Sequence, residues 1–388
     1  MPSSGALVAA AAAVGGLAYA VSGSGTAANS LRGKVVLITG AGGGVGREAA
    51  LAFARRGAHL VLWDLSEAGL AATKGAVAAQ AAAMAAVEEA AGGGAAGEAA
   101  GGKPAAVPGV ETGVVDISSR EEVYGAAAAV QQLRWGGAAP LPVFAVVNNA
   151  GIVSGGAPIL EADDARVVKT FQVGGVTTLA HLLVPSRSST DSLTHSLTHS
   201  LTHSLLISSF PLTPLRAASN QVNTLAHFWT TKAFLPAMRA AGAGHVVVVA
   251  SVAGLIGSAN LIDYSASKFA AVGFAESLRN ELYADAATSG KVGCSLVCPA
   301  HIKTALFKGF RQPLIRSLEP AEVAEGIVRA VEQRIPMLVL PRVIGATLVT
   351  KALFPSALTD WINTWAGTNQ AMSKHDSSHA DKGLKSML

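Results

Sequence analysis

Residues 34–46, KVVLITGAGGGVG, constrain the fold more than any other stretch of the chain. KVVLIT is a run of apolar and β-branched residues, which reads as a strand buried on both faces. It runs directly into a glycine-rich turn, and a helical stretch follows to about Arg56. A strand that feeds a helix through so short a turn belongs to a parallel sheet, because the helix has to carry the chain back across that sheet. The rhythm then repeats. His59–Trp63, ending at Asp64, reads as a second strand, Gly113–Asp116 as a third and Val143–Val147 as a fourth. Residues 245–250 (HVVVVA) and 291–298 (KVGCSLVC) add two more. The expected architecture is α/β, one doubly wound parallel sheet with helices on both faces, over residues 32–366.

Several stretches stand outside this rhythm. Residues 66–108 turn to Ala/Gly low complexity; the first part, to about Ala91, reads as a long helix, and GGGAAGEAAGGKP as a flexible loop. Residues 6–21 (ALVAAAAAVGGLAYAV) are apolar, and no charge precedes Arg32. The run is a little shorter than the roughly 20 residues a bilayer span needs. Segment 1–31 therefore reads as a membrane anchor, as a targeting peptide cleaved at the A-x-A-like Ala18-Tyr19-Ala20, or as a soluble tail. Residues 337–367 are apolar with Arg342, Lys351, Trp361 and Trp365 interspersed, which suits an interfacial helix, a lid, or a last core strand with a packing helix. The tail 367–388 is polar and reads as disordered.

Residues 173–221 also break the pattern. They hold the repeat SLTHSLTHSLTH and then SFPLTPLR. His195, His199 and His203 would share one face of a helix, but Ser and Thr are poor helix formers and no carboxylate or cysteine accompanies them, so no metal site is expected. Joining Gln172 directly to Val222 restores one amphipathic helix. The segment is in frame, begins with a Val codon (GT) and ends with Gln221, whose codon can be CAG. It is expected to be a retained intron or a gene-model error, with a genuine loop insertion as the alternative. A partial echo, Val176 to His181, stands beside Val222 to His227, but only the second copy has an asparagine, Asn223.

Composition sets limits on function. Half the residues are hydrophobic and 14% are charged, which excludes disorder of the chain as a whole. A formal charge of +4 with no basic run implies no nucleic-acid partner. Cys294 and Cys298, about 13 Å apart on one strand face, cannot pair and read as buried thiols of a reducing compartment.

Two motifs carry chemistry. In Thr39-Gly40-Ala41-Gly42-Gly43-Gly44-Val45-Gly46 the glycines allow a tight turn and let backbone approach a pyrophosphate, which the following helix N-terminus attracts. Asp64, ending the next strand, can accept hydrogen bonds from ribose hydroxyls and would repel a 2′-phosphate, so NAD is expected over NADP. A helix-capping role with Ser66 is the alternative for Asp64. In Tyr264-Ser265-Ala266-Ser267-Lys268, Tyr264 and Lys268 share a helix face, so the ammonium is expected to bring the phenol toward the working pH range as a general acid and base. Ser251, just after HVVVVA, can hold a substrate oxygen beside Tyr264.

With these residues in view, the chain resembles a short-chain dehydrogenase/reductase, which implies a Rossmann-type sheet. The resemblance assigns Thr39, Gly40, Gly44, Val45 and Gly46 to the cofactor turn, and Asp116 with Ile117 to the adenine. It assigns Asn148, Asn149, Ala150 and Gly151 to the cofactor and sheet, and Ser251, Tyr264 and Lys268 to catalysis, with Lys268 also on the nicotinamide ribose. Asn223 would relay protons through water. Pro299, Ile302 and Thr304 would hold the nicotinamide, with Ala300 where the family usually has glycine.

Residues 51–65, 223–238 and 264–282 resemble more particularly the branch of retinol dehydrogenases and 17-beta-hydroxysteroid dehydrogenases of the endoplasmic reticulum and lipid droplets. That likeness implies an alcohol or carbonyl substrate such as a retinoid, sterol or fatty alcohol. It also implies a membrane or lipid-droplet surface as partner, a catalytic domain facing the cytosol, and a homodimer. The rival reading is a non-catalytic scaffold of a membrane or lipid droplet that keeps the fold.

Overall fold

A computed structural model describes residues 30–90, 108–137, 139–152, 221–304 and 316–365. The apolar segment 6–21, the Gly-rich loop, the SLTH repeat and the tail lie outside the described residues.

Seven strands of these residues form one parallel sheet in the order β3-β2-β1-β4-β5-β6-β7. They are β1 (Val35–Thr39), β2 (His59–Asp64), β3 (Val110–Val114), β4 (Val143–Asn148), β5 (Gly244–Val249), β6 (Val292–Pro299) and β7 (Met337–Leu340). The helices between them are α1 (Gly44–Arg55), α2 (Glu67–Ala90), α3 (Arg120–Val130), α4 (Ala226–Ala241), α5 (Ile262–Ala284) and α6 (Pro320–Glu332). After β7 come α7 (Gly345–Leu353) and α8 (Ser356–Trp365).

The continuous apolar strands follow from burial on both faces. In β1, Val36 and Ile38 join a cluster with Ala49, Phe53, Ile327 and Val331 of α1 and α6. Val35 and Leu37 join a second cluster on the opposite face with Phe234, Met238, Ala271 and Leu278 of α4 and α5. Successive side chains alternate across the sheet, so one strand feeds two cores. β1 lies between β2 and β4, and the strand order reverses there. The crevice beyond the carboxyl ends of β1 and β4 is where an open α/β sheet leaves room for a ligand.

Two local differences from the sequence expectation have physical causes. β3 lies at 110–114, earlier than the expected 113–116, because its register pairs Leu60–Asp64 of β2 with Val110–Val114. As an edge strand it leaves Glu111 and Thr112 exposed and shows no apolar run to read. The stretch leading into α4 is not a plain α-helical turn: Gln221–Leu225 forms a π turn first. The long helix expected to about Ala91 is present as α2. Its stretch Glu67–Val87 is long and apolar enough to cross a membrane by length and composition. Here it is the crossover between β2 and β3, with Leu70, Thr73 and Val77 buried toward the sheet.

Candidate active site

The expected site residues come together at the carboxyl edge of the sheet. The turn after β1 is shaped by close backbone contact. Gly40 has φ +68° and Gly44 φ +51°, and a side chain at Gly46 would overlap the Gly40 carbonyl. The turn's own carbonyls are satisfied by side chains. Thr73 Oγ1 donates to the Ala41 carbonyl at 2.8 Å, and Arg47 Nη2 donates to the Gly42 carbonyl at 2.8 Å. Arg47 Nε also donates to Thr73 Oγ1 at 3.1 Å. By contrast, no side chain caps α1 at Gly43, and a Cβ on Gly43 would meet nothing within 4 Å. Uncapped helix N–H groups facing open space are the donors a pyrophosphate takes.

Asp64 ends β2 beside this turn. One carboxylate oxygen accepts from Gly42 N at 2.8 Å and the other from Ser66 N at 2.9 Å. Ser66 Oγ in turn accepts from Gly69 N in the first turn of α2. Asp64 thus stands where a ribose carboxylate is expected and also braces the start of α2. Asp116 is turned onto its own loop, accepting from Ser118 N at 2.8 Å and Ser118 Oγ at 2.7 Å, with Ile117 buried beside it.

The Asn148–Gly151 segment is tied to β1 through Thr39. Asn149 N and Ala150 N both donate to Thr39 Oγ1 at 3.1 Å, and Asn149 Nδ2 donates to the Thr39 carbonyl at 3.0 Å. Asn148 Oδ1 accepts from Thr230 Oγ1 of α4 at 2.7 Å. Gly151 lies against both Asn223 and Lys268; a Cβ there would sit 3.1 Å from Asn223 Oδ1 and 3.2 Å from Lys268 Nζ. At the far side of the turn, the methyl of Thr304 lies 3.6 Å from where a Gly44 side chain would begin. The Pro299–Thr304 segment therefore meets the glycine turn. Ala300 N anchors it to the Leu340 carbonyl at 2.7 Å, and Ile302 bridges to Leu318.

Ser251, Tyr264 and Lys268 meet beyond β5. Ser251 is extended and caps the turn Val252–Gly254, its Oγ accepting from Ala253 N at 3.1 Å. The same hydroxyl hydrogen-bonds the Tyr264 side chain, which favours the phenolate. Burial outweighs that bond and pushes Tyr264 up to about 12. The sequence expectation was a lowered value; here the Lys268 ammonium lies 5.8 Å from the ring centroid and donates to the Val249 carbonyl at 3.1 Å. Burial moves Lys268 the other way, down to about 8. Cys298 is buried among these groups, is unpaired, and is pushed up to about 12 by desolvation, so it stays a thiol.

Asn223 is fully buried, and its amide is committed. Oδ1 accepts from Ile152 N at 2.9 Å, and Nδ2 donates to the Ile152 carbonyl at 2.9 Å and to Ser267 Oγ at 3.1 Å. The amide thus pins the π turn to the Asn148–Gly151 loop and to α5. At the outer edge, Lys351 of α7 donates to the Leu255 carbonyl at 2.7 Å and lies 5.1 Å from the Phe269 ring centroid. One surface lysine therefore touches both the Ser251 turn and the helix of Lys268.

Sequence reading did not find Arg47, Thr73 or Thr230, and it gave Ser267 and Lys351 no part in the site. Their roles are set by partners remote in the chain, and no local spacing marks them. Among the described residues, no group of three His, Cys, Asp or Glu side chains could hold a metal, and His195, His199 and His203 lie outside those residues.

A family model described as short chain dehydrogenase matches residues 34–92 and 215–314. Retinol dehydrogenase 10 of Xenopus tropicalis is 33% identical over 348 residues, covering 88% of this chain and 85% of that one. The chain belongs to the short-chain dehydrogenase family. Estradiol 17-beta-dehydrogenase 11 of Rattus norvegicus is likewise 33% identical, over 331 residues, with 85% of this chain and 83% of that one covered. A solved short-chain dehydrogenase/reductase from Burkholderia phymatum, in complex with NAD, has the same fold: TM-score 0.54 at 23% identity, over 84% of this chain and 94% of that one. Membership makes this chain an oxidoreductase acting on CH–OH groups, with a small molecule as substrate.

Proposed function

We propose that the chain interconverts a hydrophobic alcohol and its carbonyl by hydride transfer with a nicotinamide cofactor, and that Ser251, Tyr264 and Lys268 carry the chemistry. The observation that bears most weight is the convergence of these three side chains, buried, beside a glycine turn whose helix N–H groups have no side-chain cap. The turn Thr39–Gly46 would hold the pyrophosphate, Asp64 the adenosine ribose, Lys268 the nicotinamide ribose, and Pro299, Ile302 and Thr304 the nicotinamide. Asp64 favours NAD over NADP, since a carboxylate in that place repels a 2′-phosphate. The bound cofactor supplies the hydride acceptor or donor. Ser251 positions the substrate oxygen, and Tyr264 takes its proton in oxidation and returns it in reduction. Lys268 assists as the neighbouring cation, and Asn223 braces the Asn148–Gly151 loop, whose Gly151 lies against Lys268.

The substrate class we favour is retinoid, sterol or fatty alcohol, drawn from the relatives named retinol and estradiol dehydrogenase. A membrane or lipid-droplet surface, with the catalytic domain on the cytosolic side, fits exposed Leu353, Phe354, Leu358 and Trp361 on and beside the last two helices. A non-catalytic scaffold is disfavoured, because a scaffold has no use for three costly buried polar side chains at one place.

The test is turnover by the purified full chain in lipid, followed by NADH absorbance with retinol, sterols, and long and short alcohols. Tyr264→Phe should lower kcat roughly 100- to 10,000-fold while NADH binding is kept. NAD binding without turnover of any of these alcohols would return the chain to the scaffold reading.

A further inference from the structure

Gly69 is the third residue of α2, a place where most residues make a better helix than glycine. Space explains it. A Cβ on Gly69 would lie 2.7 Å from the Gly42 carbonyl oxygen and 3.0 Å from Gly42 Cα, so α2 rests backbone to backbone on the glycine turn. One helical turn later, Thr73 is fully buried and shares its hydroxyl proton between the Ala41 carbonyl at 2.8 Å and the Gly69 carbonyl at 3.0 Å. The same hydroxyl accepts from Arg47 Nε at 3.1 Å, and Arg47 Nη2 donates to the Gly42 carbonyl at 2.8 Å. Arg47 is the fourth residue of α1, where a cation works against the helix dipole. Its donors are spent on the turn and on α2.

In a trans peptide the C=O and the N–H point in opposite directions. The Ala41 carbonyl is held on Thr73, and the N–H of that peptide, Gly42 N, leaves toward Asp64 and donates to it at 2.8 Å. The next peptide follows the same rule. Its carbonyl, that of Gly42, is held by Arg47, which aims the Gly43 N–H away from Arg47. Gly43 is where a Cβ would meet nothing within 4 Å. Two carbonyls, whose partial negative charge a phosphate avoids, are thus engaged by Thr73 and Arg47, while a donor faces the opening. Asp64 belongs to the same frame. Its second oxygen accepts from Ser66 N at 2.9 Å, and Ser66 Oγ accepts from Gly69 N at 3.0 Å.

We propose that Thr73 and Arg47 are positioning residues for the adenosine diphosphate half of the cofactor. They hold the Ala41 and Gly42 carbonyls so that Gly42 N–H sets the Asp64 carboxylate for the ribose and Gly43 N–H meets the pyrophosphate. Neither side chain touches the cofactor. The first two turns of α2 are therefore part of the nucleotide site, although no motif marks them. This inference rests on the nicotinamide reading of the site.

Binding of NADH and of ADP-ribose to the purified full chain, by NADH fluorescence and its displacement, tests it. Thr73→Val keeps the side-chain shape and removes the hydroxyl. It should weaken both ligands by the same factor, about tenfold, equivalent to about 1.4 kcal/mol. ADP-ribose has no nicotinamide, so equal losses belong to the shared half. KM for NAD should rise by a similar factor, with kcat at saturating NAD changed less than twofold. Thr73→Ser should bind like wild type, and Arg47→Met should fall with Thr73→Val. Gln80→Met is the control for α1–α2 packing: it removes the bond from Gln80 Nε2 to the Leu51 carbonyl, away from the turn, and should leave NADH binding unchanged. Gly69→Ala disturbs the Gly42 carbonyl with a residue that favours the helix, so it reads the same loss if Thr73→Val is unstable; unchanged NADH binding there overturns the proposal. A loss in Arg47→Met alone assigns Arg47 to the phosphate directly and overturns it. Equal losses in Thr73→Val, Thr73→Ser and Gln80→Met mark general packing and overturn it as well. A wild-type chain that binds no NADH overturns the nicotinamide reading and this one with it; wild-type binding with unaffected variants overturns this one alone.

Discussion

One burial moves Tyr264 and Lys268 in opposite directions, the phenol up to about 12 and the ammonium down to about 8, because each neutral form is favoured away from water. Oxidation needs the phenolate, so its rate should climb with pH well above neutrality. A pH profile of kcat/KM for alcohol oxidation should rise with a slope approaching one up to about pH 8 and then level as Lys268 loses its charge, whereas a flat profile below pH 8 would place the base elsewhere. Gly151 is a second residue whose identity is dictated by space. A methyl there would sit 3.1 Å from Asn223 Oδ1 and 3.2 Å from Lys268 Nζ, so these groups must give by a few tenths of an ångström. Gly151→Ala should therefore lower kcat several-fold, well short of the roughly 100-fold effect of a full ångström displacement, while the thermal midpoint moves little. Asp64 braces Gly42 and Ser66, and in the proposed function it also repels a 2′-phosphate. Asp64→Ala should narrow or reverse the preference for NAD over NADP in KM, and unchanged discrimination would remove Asp64 from the ribose site.

At the scale of elements, sequence showed most where chemistry or burial acts locally. β1, β2, β4, β5 and β6 were legible because strands buried on both faces are continuous apolar runs. Tyr264 and Lys268 were legible because a fixed helical spacing brings them together. β3 was misplaced because an edge strand with exposed Glu111 and Thr112 carries no apolar signal, and its position is set by pairing with β2. Thr73 and Thr230 stayed hidden for a related reason: each is an ordinary helical threonine until Ala41 or Asn148 arrives from a distant strand end. The packing of α6 on α1 is mainly apolar. The ion pairs of Glu325 with Arg55 and Arg56, at 2.6 and 2.7 Å, lie on side chains that are about a third exposed or more. Glu325→Ala should accordingly cost less than about 1 kcal/mol in urea unfolding; a larger loss would show that these pairs hold the two helices together.

For the whole molecule, two buried histidines set the acid limit. His227 and His245 are each neutral in the fold, near 3, against 6.5 for an ordinary histidine. Protonation therefore favours the unfolded chain. Their contribution is fully present above pH 6.5 and is lost as pH falls from 6.5 toward 3, at up to about 1.4 kcal/mol per pH unit for each. Urea midpoints measured downward from pH 6.5 should fall steadily, and a constant midpoint to about pH 4 would contradict neutral burial of both rings. The segment 173–221 bears on the molecule at the same scale. If it is a retained intron, a chain lacking it joins Gln172 to Val222 and gives the helix of Asn223 its preceding turns, so the shorter chain should turn over faster. Sequencing of the message across that junction, with turnover of both forms, tests this.

The contact of Lys351 with Leu255 and Phe269 has a practical consequence for anyone who shortens this protein. Its C-terminal helices read as an appendage, remote in sequence from every motif of the site. Yet a truncation ahead of α7 strips a cation from the turn that Ser251 caps and from the helix that aligns Lys268. Such a deletion would leave the sheet standing and blur the catalytic geometry, and its phenotype would be mistaken for that of an active-site mutation.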